Sequence, residues 1–242
     1  MKKKRKTGHT ESTIYLCSPV NALVEGIYEE NVRLAEVLKH GDFGLGTFDD
    51  LDGEMVILDG NIYQIFSDGR VARVDKKAFT PFAAVTFYNP SRNGEITREL
   101  PYDEFMQWIN ALFVSPNLFY AVRIEGEFAH IRARSVPKQA NYHPFVEVSH
   151  EQVVFDFRNI EGTLAGFYTP AFLSSLSVPG LHLHFLSSDF QHGGHVLECV
   201  PRKAHAGIQL IHKLELSLPM TKDYLSLDFH RNVDQDLNKI EK

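Results

Sequence analysis

At 242 residues, the chain is long enough for one large domain or two small ones, and its 43% hydrophobic and 23% charged residues are typical of a folded globular protein. Its longest apolar runs are too short to cross a bilayer, and two cysteines, Cys17 and Cys199, are too few for a disulfide framework or an all-cysteine zinc site. Outside the basic stretch MKKKRK (1–6), 20 basic residues face 31 acidic ones, a formal charge of −11. The chain outside this stretch is acidic enough to repel the phosphate backbone of a nucleic acid. We therefore expect a cytoplasmic protein with reduced thiols and with neither a membrane span nor a nucleic-acid partner.

The first part of the chain combines short helices with hairpins. Apolar residues between Pro19 and Lys39 recur at helical spacing with an interruption at Glu25-Gly26, which predicts a pair of short helices. From Asp42 the period shortens to that of strands, and turn residues separate the runs GLGTF, EMVILDG, NIYQIF, VARV and FAAVTFY. The segment YDEFMQWINALF (102–113) then has one apolar helical face, which predicts a helix that covers a sheet.

The second part of the chain is richer in strands. LFYAVRIEG (118–126) and EFAHIRARSV (127–136) predict two strands that turn at Gly126, and the two prolines of segment 137–149 predict a linker. Beyond it, QVVFDF, GTLAGFY, LHLHFLS, HVLECV and AGIQLIHKLELSL predict a second block of strands. The sequence thus predicts a strand-rich α/β fold of the mixed α+β kind, in which two domains are each built on a mixed sheet with short covering helices. The predicted ranges are a disordered basic tail over 1–12, an N-terminal mixed-sheet domain over 13–145 and a C-terminal β domain over 146–242.

The segment PGLHLHFLSSDFQHGGHVLEC (179–199) places three histidines where they can meet. On a strand, alternate residues share a face, so His182 and His184 project the same way. If the chain turns before the two glycines and enters HVLECV, His184 and His195 become a cross-strand pair, with Cβ atoms about 4.5–5.5 Å apart. Three imidazoles without a cysteine are typical of a catalytic zinc site that keeps an open coordination position.

Alternatives to this zinc site follow from composition and chemistry. With 12 histidines in 242 residues, roughly 0.6 His-x-His pairs are expected by chance, so the pair alone is weak evidence. His192 is the nearest rival ligand, and the remaining histidines have no comparable spacing. Iron and manganese stay open as alternatives to zinc, because imidazole binds several transition metals.

Four segments, taken in this order, resemble the α-acetolactate decarboxylases, bacterial enzymes that convert 2-acetolactate to acetoin and CO2. They are HGDFGLGTFDDLDGEMVILDG (40–60), RSVPKQ (134–139), EGTLAGFYTPAFL (161–173) and the histidine segment 179–199. The resemblance extends over nearly the whole chain after the basic tail. It implies a two-domain α/β zinc enzyme that is usually a homodimer, with His182, His184 and His195 as the zinc ligands.

The resemblance also implies catalytic side chains. The glutamate of the family's Asp-Gly-Glu motif falls on Glu54, and the arginine before its small-residue-Val-Pro motif falls on Arg134; Arg132 is the competing assignment for the arginine. A glutamate near the C-terminus corresponds best to Glu241. Two aspartates compete with that last assignment, namely Asp234 and Asp236.

The implied activity is that of a carboxy-lyase: zinc-dependent decarboxylation of (S)-2-acetolactate to (R)-acetoin and CO2 through a metal-stabilised enediolate. In this interpretation Arg134 orients the substrate carboxylate, while Glu54 and Glu241, the latter on an active-site tail of the C-terminal domain, carry proton traffic. The same ligands leave open another metal-dependent oxygenase or hydrolase. A non-enzymatic, DNA-associated module is a third interpretation, which the basic tail favours and the acidic body opposes.

Overall fold

A computed structural model describes residues 12–29, 32–140 and 143–229. Within these ranges the strands, in chain order, are β1 (Thr13–Leu16), β2 (Val32–Arg33), β3 (Phe43–Thr47), β4 (Glu54–Leu58), β5 (Asn61–Ile65), β6 (Val71–Arg73), β7 (Phe79–Thr80), β8 (Ala83–Thr86), β9 (Arg92–Ile96), β10 (Phe119–Ser135), β11 (Val153–Thr169), β12 (Gly180–Ser187), β13 (Gly193–Ile211) and β14 (Lys213–Leu216). The helices are α1 (Val20–Val24), α2 (Leu34–Val37), α3 (Tyr102–Ala111), α4 (Phe145–Val148) and α5 (Lys222–Ser226), with single 3-10 turns at Asp49–Leu51, Ser149–Glu151 and Ala171–Leu173. The predicted strand-rich α/β fold is confirmed.

The first sheet has seven strands in the order β14-β1-β8-β3-β4-β5-β6. Only β1 and β14 run parallel to each other among these pairs, since the other neighbours are antiparallel hairpins or crossovers. The predicted strands between residues 43 and 86 lie here. The small ribbon of β2 and β7 stands apart from this sheet.

The second sheet has five antiparallel strands in the order β10-β11-β12-β13-β9. Because β10 also pairs with β13, the four strands β10 to β13 form a closed ring of paired strands. The predicted turn at Gly126 is wrong, because β10 runs straight through it. A Cβ at this residue would lie 2.2 Å from the carbonyl oxygen of Lys203, so glycine serves here to let β13 approach closely (φ +153°).

The boundary predicted after residue 145 does not coincide with the boundary between the sheets. Strand β10 precedes that position but pairs with β11 and β13 in the second sheet, and β14 follows it but lies at the edge of the first. The predicted linker is also more than a connection, because α4 within it packs Phe145 and Val148 into an apolar cluster with α1. Sequence order therefore does not separate the two sheets.

The two sheets share a core in which apolar side chains of β3, β4 and β5 pack against those of β10, β11 and β12. Helix α3 covers the second sheet through Phe105 and Ile109, as its apolar face predicted. Throughout the ranges that the structure describes, every helix is too short or too polar to cross a membrane. The predicted histidine, glutamate and arginine side chains of the site lie at the boundary between the two sheets.

Candidate active site

Three imidazoles converge at the end of the β12–β13 pairing that is farthest from the hairpin turn. His184 and His195 are directly opposite each other in the antiparallel register, as the spacing predicted. The Nε2 atom of His182 lies 3.2 Å from Nε2 of His184 and 3.1 Å from Nδ1 of His195. Two nitrogens bound tetrahedrally at about 2.0–2.1 Å from one zinc ion are separated by roughly 3.3 Å. The two separations from His182 thus match those of nitrogens bound to one tetrahedral metal ion, and all three ligand atoms lie within 4.8 Å of one another.

The surroundings of the cluster keep the rings neutral and oriented. His184 donates from Nδ1 to the backbone carbonyl of Met55 at 2.8 Å, which turns its Nε2 lone pair toward the other two rings. Burial lowers the pKa of all three imidazoles, and the nearby positive charge of Arg134 lowers the pKa of each further. A neutral ring with one nitrogen already hydrogen-bonded is the form of histidine that binds metal.

A carboxylate and a guanidinium meet beside the histidines. Glu54 is the first residue of β4 in the first sheet, and Arg134 lies near the end of β10 in the second, opposite His195. The Arg134 Nη1 atom donates to Glu54 Oε1 at 3.1 Å, and Glu54 Oε2 lies 3.4 Å from His184 Nε2. Glu54 is 7% exposed and Arg134 is 2% exposed, so this is a buried ion pair. It spans the boundary between the sheets.

Close backbone packing brings these strands together. Ile65 of β5 pairs with Glu54 in register, and the carbonyl of Ile65 accepts a hydrogen bond from Ser135 Oγ of β10 at 2.9 Å. A Cβ at Gly193, which opens β13, would lie only 2.8 Å from Cγ1 of Ile65. The glycine therefore lets the histidine hairpin sit directly against the first sheet.

The cavity at this junction has a volume of about 40 Å³ and two chemically different faces. Its polar face carries Thr47, Glu54, Arg134, His182, His184 and His195. Its apolar face carries Val20, Leu23, Leu51, Phe82, Val136, Phe145 and Val178. Such a site suits a small molecule with oxygen atoms on one side and alkyl groups on the other.

Comparisons with known proteins identify the family. The family model for α-acetolactate decarboxylase matches residues 14–231. The α-acetolactate decarboxylase of Methanosarcina mazei is 37% identical over 237 residues, covering 98% of this chain and 82% of that protein, and the one from Bacillus subtilis is 38% identical over 92% of this chain and 86% of its own. The chain belongs to the α-acetolactate decarboxylase family.

A solved structure agrees with this membership. The crystal structure of α-acetolactate decarboxylase from Bacillus subtilis strain 168 superimposes with a TM-score of 0.92 at 36% identity, covering 95% of this chain and 99% of the other. The resemblance stated from the sequence motifs is therefore confirmed, and so is the prediction that the chain is an enzyme of the carboxy-lyase class.

Of the site residues predicted for an α-acetolactate decarboxylase, five lie in the cavity and one lies outside the described residues. The five are Glu54, Arg134, His182, His184 and His195. The sixth is Glu241, and its two competitors, Asp234 and Asp236, lie outside the described residues as well. The rival ligand His192 is exposed and packs its ring on Phe157, and the rival arginine Arg132 is exposed too.

Sequence reasoning missed the apolar face of the cavity. Val20 and Leu23 come from α1, which the sequence predicts only as a helix, and Phe145 comes from α4, which lies in the predicted linker. The Met55 carbonyl that orients His184 was missed too, because a backbone acceptor has no residue type to recognise. One signal was present: Leu51 is an apolar residue within the acidic segment Asp49-Asp50-Leu51-Asp52, where a solvated loop would have no need of it.

Proposed function

We propose that this protein catalyses the zinc-dependent decarboxylation of (S)-2-acetolactate to (R)-acetoin and CO2. The observation that carries the proposal is the mixed lining of the cavity, in which three neutral imidazoles, one carboxylate and one guanidinium form one connected group and the apolar side chains belong to one hydrophobic cluster. The substrate has the same division, since its carboxylate, hydroxyl and ketone oxygens can face the polar side while its two methyl groups face the apolar side.

We take the metal to be zinc, because three histidines with an open coordination position are typical of catalytic zinc sites. His182, His184 and His195 would hold it through three neutral nitrogens, leaving room for substrate oxygens. When bound, the metal supplies Lewis-acid polarisation of those oxygens. The ring spacing and the Met55 acceptor behind His184 support the proposal, because metal-bound histidines usually have such a partner on their second nitrogen.

Arg134 has the position and charge to bind the substrate carboxylate. Its guanidinium is buried at the cavity wall and lies 5.9 Å from the centroid of the Phe145 ring. Because Glu54 accepts a hydrogen bond from Nη1, the substrate carboxylate would share the guanidinium with Glu54. A partial contact suits the reaction, since a full bidentate clamp would stabilise the carboxylate that must leave as CO2.

Glu54 is placed to move a proton. Loss of CO2 leaves an electron pair at C2 that the adjacent ketone accepts as an enediolate, and acetoin then forms by uptake of one proton at C2. Glu54 would accept the C2 hydroxyl proton as negative charge develops and return it to that oxygen afterwards. The Glu54 carboxylate, held by Arg134 on one oxygen, presents the other oxygen to the histidine cluster, where the hydroxyl would bind. Protonation of C2 on a single face would then give one enantiomer, a step in which we include Glu241 on the basis of the family resemblance.

The experiment combines metal analysis with turnover. Zinc per chain is measured in the purified protein, and acetoin, CO2 and the acetoin enantiomer are followed from racemic 2-acetolactate before chelation, after chelation and after zinc is returned. We expect one zinc per chain, activity that is lost and restored with the metal, and consumption of half of the racemate. Stoichiometric metal without acetoin would reject the reaction, and activity that survives complete metal removal would reject the zinc.

We further propose that the enzyme is a cytoplasmic homodimer. The buried thiols Cys17 and Cys199 support the first part, because thiols are kept reduced in the cytoplasm, and the family resemblance supports the second. Light scattering of the purified chain should give a mass twice the 27.5 kDa of one chain. A mass of one chain at micromolar concentration would reject the dimer.

A further inference from the structure

The loop that leads into Glu54 has an unfavourable backbone shape. Asp50 (φ 63°) and Leu51 (φ 54°) both have left-handed conformations, although both have a Cβ. Leu51 is 2% exposed and forms part of the apolar cavity wall, and Glu54 follows it by three residues. Two such residues in succession persist only where surrounding contacts hold them. The loop over residues 49–53 therefore needs a support.

The segment RSVPKQ (134–139) provides that support at both ends of the loop. Lys138 Nζ lies 2.9 Å from Asp50 Oδ2, and the backbone N–H of Gln139 donates to the carbonyl of Asp50 at 2.7 Å. At the other end, Arg134 donates to Glu54. The two segments thus run side by side in opposite directions, with two contacts at Asp50, the first residue of the left-handed pair, and one at Glu54, after the pair.

We propose that Lys138 and Asp50 are positioning residues whose ion pair holds the loop over residues 49–53, and through it the Glu54 carboxylate and the Leu51 wall, in the shape that catalysis needs. The catalytic part of this inference rests on the proposed function. Neither side chain lines the cavity, so neither contacts the substrate there.

The exposure of the pair separates positioning from general stabilisation. The side chain of Lys138 is 62% exposed and that of Asp50 is 27% exposed, and ion pairs in such surroundings contribute little to global stability. The N–H of Gln139 and the carbonyl of Tyr28 also bond the backbone of Asp50, so removing the ion pair should loosen the loop without unfolding the protein. A change in activity at constant melting temperature is therefore the signature of the proposed role.

The test uses the full chain with zinc added and five variants. Lys138→Met and Asp50→Asn each remove one charge, and asparagine tolerates the left-handed backbone at residue 50. Their combination completes a double-mutant cycle, and Lys138→Arg is the conservative rescue. Lys39→Met is the matched control, because the Lys39 side chain is about as exposed as that of Lys138 (64% and 62%) and neither it nor its partner Glu36 lines the cavity.

Three readouts are taken for each variant: hydrogen exchange of the amides of residues 49–54, kcat and KM for 2-acetolactate, and melting temperature. We expect loop exchange about tenfold faster and kcat roughly three- to tenfold lower in Lys138→Met and Asp50→Asn, with KM and melting temperature nearly unchanged. The double variant should be no worse than either single one, since both remove the same contact. Lys138→Arg and Lys39→Met should behave as the wild type.

The outcomes distinguish this inference from the proposed function. A wild type that forms no acetoin rejects the proposed function alone, because hydrogen exchange needs no substrate and still decides whether the pair holds the loop. Exchange rates in residues 49–54 that equal those of the wild type overturn the inference. Faster exchange with unchanged kcat in an active enzyme overturns it too, as does a loss of activity that parallels a fall in melting temperature.

Discussion

The two halves of the site are built in different ways. The metal half comes from one hairpin, because His182, His184 and His195 lie on neighbouring strands β12 and β13 of the same sheet. The other half consists of Glu54 and Arg134. These two residues are 80 positions apart in sequence and lie on strands of different sheets. Local pairing thus fixes the histidines, whereas the carboxylate and guanidinium meet only when the sheets pack. Substitutions that disturb strand pairing or sheet packing separately therefore test whether the two halves of the site form in these different ways.

Removing a histidine should have the largest effect, because the metal half depends on every ring. His184→Ala deletes one nitrogen of the cluster and the hydrogen bond to the Met55 carbonyl. We expect loss of bound zinc and a fall in kcat/KM of at least about 10³-fold, since metal stabilisation of charge contributes several kcal/mol and each 1.36 kcal/mol is tenfold in rate. Metal content and turnover are measured together.

His192→Ala is the control for this prediction. His192 lies next to the two glycines of the same hairpin, but its ring is exposed and packs on Phe157 instead of joining the cluster. This variant should keep both zinc and activity. A His184→Ala protein that retains one zinc per chain would show that the three rings are not the metal site.

Glu54→Gln should disable the other half of the site and leave the metal in place. A positioned general base contributes about 10²–10⁴-fold, so kcat should fall within that range while zinc content stays at the wild-type level. Stability should also fall, by about 3–5 kcal/mol, because the buried guanidinium of Arg134 loses its counter-charge. Turnover, metal content and urea unfolding give the three measurements.

The double variant Glu54→Gln with Arg134→Met sharpens this result. Replacing the guanidinium removes the buried charge that Glu54 no longer balances, so part of the lost stability should return while activity stays lost. If the double variant were as unstable as the sum of the single ones, the two side chains would be independent and the ion pair would have no energetic weight.

The comparison also explains what could be predicted from the sequence. The register of His184 with His195 follows from strand alternation and a turn, so spacing alone predicted it correctly. Arg132 and Arg134 are two residues apart, so on a strand their side chains share a face, and spacing alone does not distinguish between them as the site arginine. The structure separates them because the register with β13 shifts between Arg132 and Ala133, and because only the end of β10 reaches the first sheet.

Gly126 illustrates the same limit for the fold. A glycine between two apolar runs reads as a turn in the sequence, yet here it accommodates the close backbone of β13. The motif resemblance supplied Glu54 and Arg134, whereas the apolar wall from α1 and α4 depends on how distant segments pack. Contacts between elements, unlike the elements themselves, leave no local periodicity to read.

Gly193→Ala should push the two halves apart. The added methyl group would lie 2.5 Å from the carbonyl oxygen of Phe185 and 2.8 Å from Cγ1 of Ile65, so the hairpin must move away from β5. Overpacking of this kind costs about 1–3 kcal/mol. We expect a lower melting temperature and weaker zinc binding, both measured during a zinc titration.

Gly60→Ala is the matched control, because a Cβ there meets nothing within 4 Å, although its left-handed backbone (φ +74°) adds some strain. It should cost about 1 kcal/mol and leave zinc affinity unchanged. Equal zinc affinity in both variants would mean that the hairpin forms the metal half independently of its contact with the first sheet.

Ser135→Ala should have the smallest effect, and the most selective one. The Ser135 hydroxyl donates across the sheet boundary to the carbonyl of Ile65, the residue that pairs with Glu54, and it lies next to Arg134. Losing this buried hydrogen bond should cost about 1 kcal/mol. Because the substitution leaves the contacts of the histidines intact, zinc content should stay constant while kcat falls a few-fold. Ser226→Ala is the control: it removes an exposed hydroxyl that donates to the Asp223 carbonyl, and it should change neither zinc content nor kcat. A fall in zinc content on Ser135→Ala would show that the metal half also depends on sheet packing, and the distinction between a locally built half and a packed half would then fail.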